Sequence, residues 1–370
     1  MQNESGVLVK IFNSIKKLIY NYSLLFMLAL WLIVQLSLYL NYGFITEFEG
    51  AKYQLMANEL ISGAAINQEL LFYSVYPIVI SLFLKIGLGL KSMLIIQLIA
   101  NAWASYRFYG ISRMLFSEKW ISIFTTSAFI LTLQIQQWNF FLFTESLFVS
   151  GLIIYTYNIL IFDYRNKINS ILLALLFIFL SFLRPIGLLL FIPTLIYFYF
   201  NRNNIKSFAS LIPLLLSIGL VFILNQLNNS TQLIYLIKES FSNSWVILGY
   251  NDLSIQFHQE NTIIFSFKLL LNRIYYFFSM QRPYYSLGHN IMVSAFYLIY
   301  GLALFGIRRF YKNNLSFFIY SLLFILSIST LSLLLYLNWH GRFIVPILPF
   351  FIIFSGYGVE YLLEKRKAQL

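Results

Sequence analysis

The chain has 370 residues, of which 60% are hydrophobic, 19% aromatic and only 10% charged, and its mean hydropathy is +0.77. About a quarter of the residues of a soluble domain are charged, so this composition excludes a soluble protein and predicts one solvated by lipid. The net charge of +12 is explained by lysines and arginines in the loops of a membrane protein, so we expect no nucleic-acid partner. The absence of cysteine excludes disulfides and thiol chemistry.

Twelve apolar runs divide the chain, and their length suits helices rather than the short alternating strands of an outer-membrane barrel. They cover residues 22–45, 71–90, 92–112, 119–138, 140–162, 168–184, 185–200, 207–226, 263–280, 291–307, 315–337 and 343–363. The run 22–45 is too long for a signal peptide and lacks a small-residue cleavage site, so we interpret it as a retained helix. Because we find no internal repeat and no low-complexity linker, we predict a single membrane domain, 1–370.

Lysines and arginines in short loops mark the cytoplasmic side of a membrane protein. Lys10, Lys16 and Lys17 precede the first run and therefore place the amino terminus inside. The later basic clusters also fall inside if runs 71–90 and 263–280 do not cross. These clusters are Arg107 with Arg113 and Lys119, Arg165 with Lys167, Arg202 with Lys206, Arg308 with Arg309 and Lys312, and Lys365 with Arg366 and Lys367.

The predicted fold class is therefore an all-α polytopic membrane protein with about ten transmembrane helices and both termini inside. The first outer loop, 46–90, is predicted to hold two juxtamembrane helices that do not cross. A larger polar outer segment covers 227–290. The high content of Ile, Asn, Phe and Lys and the low content of Gly and Ala are typical of an AT-rich bacterial genome. We therefore expect the protein to lie in the inner (plasma) membrane of a bacterium.

Three carboxylates stand where the predicted chain meets the outer surface. Glu47 and Glu49 follow the first run, and Glu145 lies in FFLFTESLF between two runs. An ionisable group at a bilayer is costly, so each is a candidate for function, and a carboxylate accepts a proton as a general base. The alternatives are structural: an acidic first turn for Glu49, and a capping arrangement for the helix after Glu145.

Arginines form a second group at the predicted outer face. Arg184 precedes Pro185 in FLRPIGL, and Arg342 follows His340 in NWHGRFIVPILP. Arginine clamps phosphate oxygens in pairs, so these residues, with Lys52, could hold a lipid-linked phosphate. Arg282 and His289, in QRPYYSLGHN, are further candidates. For each arginine alone, the alternative is an anchor that snorkels to the lipid headgroups.

Several motifs that carry chemistry elsewhere are missing from this sequence. It contains no P-loop, no GxGxxG after a strand and no HExxH. Its three histidines are too widely separated to predict a metal site. We therefore expect no cofactor, and two isolated glutamates do not indicate a divalent metal.

Short motifs nevertheless occur in an order typical of one known family. They are EGAKY with Glu49 and Tyr53, ANELISG after it, YSVYPIV with Tyr76, FTESLF with Glu145, RPIG with Arg184, and RFIVPILP with Arg342. The chain thus resembles the GT-C superfamily of membrane glycosyltransferases, in the branch of dolichyl-phosphate-mannose protein mannosyltransferases and bacterial aminoarabinose lipid A transferases. The resemblance covers most of residues 40–200 and 336–363. The family usually has Asp where this chain has Glu49 and Glu145, and 227–290 matches no motif.

The resemblance implies a sugar donor on a polyprenyl phosphate, an acceptor that is a glycan, lipid or protein, and inverting transfer at the outer face. It also implies two non-crossing helices in the first outer loop. Glu49 is the expected base, with Glu47 as its alternative, and Glu145 is expected to orient the acceptor or to position a cation near it. The expected substrate-binding residues are Lys52, Tyr53, Tyr76, Arg184, Arg282, His340 and Arg342.

Two other functions are compatible with the same pattern. A polysaccharide polymerase or ligase is also polytopic with outer arginines, and the polar segment 227–290 keeps that interpretation open. A transporter or flippase for lipid-linked sugars is the non-enzymatic alternative. Against it, the sequence shows no repeated halves with matched broken helices, which many transporters have.

Overall fold

Helices account for most of the computed structural model. The structure describes residues 17–64, 68–163, 166–201, 245–247, 254–256, 263–283, 285–335 and 341–369. Its α-helices are α1 (Ser23–Tyr42), α2 (Glu49–Ile61), α3 (Val75–Lys85), α4 (Lys91–Leu115), α5 (Lys119–Leu131), α6 (Leu133–Gln136), α7 (Glu145–Leu160), α8 (Lys167–Leu183), α9 (Phe191–Phe200), α10 (Ile263–Phe278), α11 (Leu287–Ser294), α12 (Phe296–Asn313), α13 (Leu315–Leu335) and α14 (Leu348–Lys367). In the described ranges, four 3₁₀ turns lie at Gln68–Tyr73, Gln137–Phe140, Pro185–Leu190 and Val345–Ile347.

Four helical stretches in the described part are long and apolar enough to cross a membrane. They are Ser23–Tyr42, Leu287–Asn313, Leu315–Leu334 and Val345–Lys367. A helix rises about 1.5 Å per residue, so 20 residues match the roughly 30 Å hydrocarbon core. The helical membrane fold is confirmed at this level. The number of ten crossings stays a prediction, and the run 207–226 lies outside the described residues.

Helices α1 and α4 run antiparallel, which fixes where the segment between them lies. Near the start of α1, the Ser23 hydroxyl is 3.2 Å from the Tyr109 hydroxyl, and further along Trp31 Nε1 donates to Asn101 Oδ1 at 2.7 Å. The end of α1 and the start of α4 therefore share one end of the bundle, here called the Tyr42 end. The end of α4 and the start of α5 share the opposite end, here called the Lys119 end.

Helices α2 and α3 both lie at the Tyr42 end and make no net crossing between α1 and α4. They have 13 and 11 residues, or roughly 20 and 17 Å, which is short of a bilayer core. The two helices pack on each other, with the rings of Tyr53 and Tyr76 edge to face at 5.1 Å. This arrangement agrees with two short helices between the first two long ones.

The chain after α5 turns back at the Tyr42 end in several short pieces. The sequence predicts one run over 119–138, but helix α5 ends at Leu131. The polar stretch that follows uses its amides in buried hydrogen bonds. Gln136 Nε2 donates to the Phe129 carbonyl at the end of α5, Gln35 Nε2 donates to Gln136 Oε1, and Asn139 Nδ2 donates to Gln35 Oε1. Satisfied buried amides of this kind rigidify the turn that leads into α7.

Helices α12 and α14 approach each other at backbone distance. A Cβ on Gly306 would lie 2.0 Å from the Phe354 carbonyl oxygen, and a Cβ on Gly358 would lie 1.9 Å from the Leu302 carbonyl oxygen. Small residues permit such close helix packing in membrane proteins. Beside them the rings of Phe310 and Tyr357 stack at 4.5 Å. This contact fixes α14, and with it the chain just before α14.

Charged side chains tie helices together at the Lys119 end. Arg309 on α12 binds Glu360 at 2.6 Å and also binds Glu364, both on α14. Lys367 Nζ lies 2.8 Å from Glu118 Oε1, just before α5. The sequence-predicted inner clusters around Lys119, Arg309 and Lys367 therefore meet at one end of the fold.

Within the described residues, the predicted polar segment 227–290 contains two short strands, α10 and the start of α11. Strands β1 (Trp245–Ile247) and β2 (Ser254–Gln256) pair antiparallel, with Val246 opposite Ile255. The sequence predicts an all-helical fold and therefore does not predict this two-stranded ladder. On α10, the buried Arg273 donates from Nη1 to the Leu333 carbonyl at 2.9 Å. A cation on the last carbonyls of α13 is electrostatically favourable and attaches α10 to that helix end.

Candidate functional site

Glu145 and Arg184 form a buried ion pair at the Tyr42 end. Glu145 is the first residue of α7, where a negative charge favours the positive end of the helix dipole. Arg184 follows α8 in an extended conformation, because Pro185 after it prevents the helix from continuing. Arg184 Nη1 lies 2.7 Å from Glu145 Oε1, and the side chains are 3% and 2% exposed. The interpretation of Arg184 as a snorkelling anchor does not fit this burial.

Arg342 connects this pair to Glu49. Its Nη1 lies 2.5 Å from Glu49 Oε2, and its Nη2 donates to Glu49 Oε1 at 2.6 Å. This fork-on-fork geometry is the strongest arrangement of an arginine with a carboxylate. The third nitrogen, Nε, lies 3.5 Å from Glu145 Oε1. Arg342 therefore contacts both carboxylates at once.

The four residues Glu49, Glu145, Arg184 and Arg342 are called the carboxylate–arginine network below. They come from four separate segments of the chain, and Glu49 and Arg342 are 293 positions apart. Their formal charges sum to zero. Removing ion pairs from water costs about as much as their attraction returns, so such a network is weak support for stability and stronger support for function.

The two carboxylates of the network differ in exposure. Glu145 is 2% exposed, whereas Glu49 is 23% exposed. Burial lowers the pKa of Arg342, but Glu145 and Glu49 raise it by more, so that pKa is raised overall and the guanidinium stays charged. Glu49 is thus the carboxylate that is accessible from outside, whereas Glu145 is buried.

Tyrosines from α2 and α3 lie near the network. Tyr53 is buried, and burial raises its pKa well above the ordinary value, with Glu145 and Glu49 adding to that effect. Tyr76 is also buried and donates its hydroxyl to Gln97 Oε1 at 2.6 Å. Gln97 in turn donates to the carbonyls of Asn139 and Phe141. These tyrosines are neutral and help to fix the loop before Glu145.

Tyr73 belongs to the same surroundings, although the sequence motifs did not single it out. Burial raises its pKa, and the charges of Arg184, Arg342, Glu49 and Glu145 all act on it. In the sequence it is the first residue of the motif YSVYPIV, three positions before Tyr76 and so about one helical turn away.

Glu47 and Lys52 are not part of the network. Both are exposed, and neither side chain has an ion pair or hydrogen bond within the described part of the chain. Between Glu47 and Glu49, Phe48 has φ of +58°. This conformation costs a bulky residue about 1–3 kcal/mol and persists only where the surroundings determine it. The turn at Phe48 leads into α2, where Glu49 meets Arg342.

The remaining predicted site residues either make no contact with the side chains of the network in the described part of the chain or lie outside the described residues. Arg282 is buried, and its Nη2 lies 3.3 Å from the position of a Cβ on Gly341, next to Arg342. His289 is 3.1 Å from the Tyr42 hydroxyl through Nδ1. His340 lies outside the described residues. In the described ranges, no group of three or more His, Cys, Asp or Glu residues could hold a metal ion.

Comparison with known proteins adds no family to these observations. No protein-family model matches the chain, and no curated protein matches its sequence. The resemblance to the GT-C superfamily therefore depends on the sequence motifs alone.

Proposed function

We propose that the protein transfers a sugar from a polyprenyl-phosphate-linked donor to a glycan, lipid or protein acceptor at the outer face of the membrane. One observation carries this proposal. Four residues that belong to separate GT-C-like motifs meet in one network, and Glu49 is its exposed carboxylate.

Glu49 is the proposed general base. A carboxylate has about four lone-pair sites, and the fork of Arg342 uses two of them, which leaves sites for an acceptor proton. As the acceptor oxygen attacks the anomeric carbon, its proton passes to Glu49. The new carbon–oxygen bond forms while the bond from the anomeric carbon to the phosphate oxygen breaks, with inversion. The electron pair leaves with the lipid phosphate.

For Glu145 we propose the second of the two roles expected from the sequence, which is to position a cation. Its burial and its contacts with Arg184 and Arg342 keep it away from an acceptor. We assign it as a positioning residue that holds the two guanidinium groups. Their charge favours the anion that develops on the leaving phosphate, and preorganised charge of this kind is effective where water is excluded.

The distribution of charge supports an outer position for the site. The network lies at the Tyr42 end, whereas the ion pairs of Lys367 and Arg309 lie at the Lys119 end. Basic residues favour the cytoplasmic side, so the Lys119 end is assigned to the inside. We accordingly propose an inner-membrane protein with both termini inside, about ten crossings, and α2 and α3 on the outer surface.

The decisive test compares Glu49→Gln with Glu47→Gln in purified protein reconstituted in lipid. Sugar transfer from polyprenyl-phosphate donors should fall by about 100-fold or more in Glu49→Gln, as expected for loss of a general base. Glu47→Gln is the matched control, because it removes the same charge two residues away at an exposed position. Unchanged transfer in a folded Glu49→Gln variant would show that Glu49 is not the base.

A further inference from the structure

Gln97 on α4 is a fully buried amide that uses both of its ends. Its Nε2 donates to the carbonyl oxygens of Asn139 at 3.0 Å and Phe141 at 2.9 Å, and its Oε1 accepts from the Tyr76 hydroxyl at 2.6 Å. The two carbonyls belong to residues 138–142, here called the pre-α7 segment. Because carbonyl oxygens only accept hydrogen bonds, the amide has a single orientation that satisfies all of these partners.

The pre-α7 segment is bonded to the chain that leads to Glu49. Ile45 donates its amide to the Phe140 carbonyl at 2.8 Å, and Leu142 donates its amide to the Ile45 carbonyl at 2.8 Å. Gly50, directly after Glu49, lies so close to the segment that a Cβ on it would be 3.2 Å from Leu142 Cβ. The position of the pre-α7 segment therefore influences where α2 begins.

The same segment holds the start of α7, where Glu145 lies. Ser146, directly after Glu145, donates its hydroxyl to Asn139 Oδ1 at 2.5 Å. Asn139 Nδ2 in turn donates to Gln35 Oε1 on α1 at 3.0 Å. Asn139 and Ser146 are both buried. The pre-α7 segment thus connects buried amides of α1 and α4 with the chain around both carboxylates of the network.

Tyr76 gives Gln97 a second connection to the surroundings of Glu49. The ring of Tyr76 packs edge to face on the ring of Tyr53 at 5.1 Å. Tyr53 lies four residues after Glu49, about one turn along α2. A buried polar network in which the partners are satisfied rigidifies its surroundings. Gln97 therefore holds the chain near Glu49 by two routes, and in the described residues it makes no hydrogen bond to Glu49 or Glu145 themselves.

We propose that Gln97 is a positioning residue that sets the placement of Glu49 and Glu145 around Arg342. This role rests on the proposed function, because those carboxylates are the proposed base and the proposed holder of the two guanidinium groups. Arg342 lies 2.6 Å from Glu49 through Nη2 and 3.5 Å from Glu145 through Nε. A shift of one carboxylate by roughly 1 Å would break such a contact, and a displacement of this size costs up to about 100-fold in rate.

The first experiment measures the position of the pre-α7 segment without any activity. Gln97→Met keeps the length of the side chain but donates no hydrogen bond. In full-length protein in lipid nanodiscs, amide hydrogen exchange in peptides that contain Ile45 and Leu142 should become about fivefold faster or more, as expected when one or two neutral hydrogen bonds are lost. Asn101→Leu is the matched control, because it removes another buried amide of α4, one that accepts from Trp31.

The second experiment measures kcat and KM for sugar transfer. Gln97→Met should lower kcat per folded molecule by about tenfold or more and change KM by less than about threefold, since a displaced base weakens transition-state stabilisation. In a Glu49→Gln background the same change should cost less, because the base that it positions is already absent. Asn101→Leu should leave kcat within about twofold. Tyr76→Phe removes only the hydroxyl that Gln97 accepts and should show a smaller loss of kcat, which keeps the test available if Gln97→Met does not fold.

The outcomes separate the role of Gln97 from the proposed function. Exchange that is unchanged in both Gln97→Met and Tyr76→Phe overturns the proposal. Faster exchange with unchanged kcat also overturns it, since the segment then does not set the geometry of the reaction. An equal loss of kcat with and without Glu49 overturns the action of Gln97 through that residue. Transfer that is unaffected by Glu49→Gln shows instead that the proposed function is wrong, whereas faster exchange in Gln97→Met still supports Gln97 as the residue that fixes the pre-α7 segment.

Discussion

Arg342 contacts two carboxylates of very different accessibility, and this difference underlies the separate roles that we propose for them. Glu49, 23% exposed, receives two of its nitrogens, while Glu145, 2% exposed, lies 3.5 Å from the third. Because Arg184 also binds Glu145, the buried carboxylate holds two guanidinium groups. Removal of Glu145 should therefore affect the position of both arginines, whereas removal of Glu49 should leave Arg184 in place.

At this scale we predict that Glu145→Gln lowers the free energy of unfolding by about 3–5 kcal/mol, since it leaves Arg184 buried without its counter-ion. The double variant Glu145→Gln with Arg184→Gln should lose less than the sum of the two single variants, because it removes both charges together. Thermal unfolding in detergent, with a double-mutant cycle, measures this coupling. Additive losses would mean that the two side chains do not interact.

Among the helices, α14 links the packing of the bundle to the position of Arg342. The 3₁₀ turn Val345–Ile347 joins Arg342 to α14, and α14 is held against α12 by the contacts at Gly306 and Gly358. A shift of α14 along α12 would move Arg342 relative to Glu49. The site therefore depends on helix packing that lies well outside it.

We predict that Gly306→Ala and Gly358→Ala each destabilise the protein by about 1–3 kcal/mol or more, since each new methyl group overlaps a backbone carbonyl. Gly301→Ala is the matched control on α12, because a Cβ there meets no atom within 4 Å. Thermal unfolding provides the measurement. If Gly301→Ala is as destabilising as the other two, helix propensity or lipid contact explains the effect, and close packing does not.

The whole molecule separates two kinds of charge cluster at its two ends. The Tyr42 end contains the buried network, and the Lys119 end contains the ion pairs of Arg309 and Lys367 with glutamates near or on the surface. If the fold spans the membrane as proposed, these ends face opposite aqueous compartments. Helices α2 and α3 then rest on the outer surface.

Cysteine labelling tests this orientation directly, because the chain has no native cysteine. Lys52→Cys, at an exposed position on α2, should react with a membrane-impermeant maleimide in intact cells. Arg366→Cys, at an exposed position near the end of α14, should react only after the cells are permeabilised. Labelling of Lys52→Cys only after permeabilisation would place the network inside and contradict the proposed function.

Much of this architecture follows from composition and the spacing of charges. Apolar runs predict the helices, because a chain with so few charges must bury its backbone polar groups within helices in lipid. Basic clusters predict which helix ends lie together, and Lys119 and Lys367 do meet at one end. The same distribution of basic residues indicates that α2 and α3 make no net crossing of the membrane. Glu49, Glu145, Arg184 and Arg342 are also found from the sequence, since ionisable groups beside apolar runs are costly.

Only the tertiary structure decides how those residues are used. It shows that Arg184 and Arg342 are already paired with carboxylates, that Glu145 is buried while Glu49 is accessible, and that Arg282 has no carboxylate among the described residues. It also places Tyr73 near the charges of the network. Helix α5 ends at Leu131, and the residues that follow make hydrogen bonds through buried side-chain amides instead of continuing the helix. The physical reason is that apolarity and charge are properties of individual residues and their neighbours, so they can be read directly from the sequence. Burial, ion pairing and unused hydrogen-bond donors arise between segments up to 293 positions apart, and they exist only after the helices have packed.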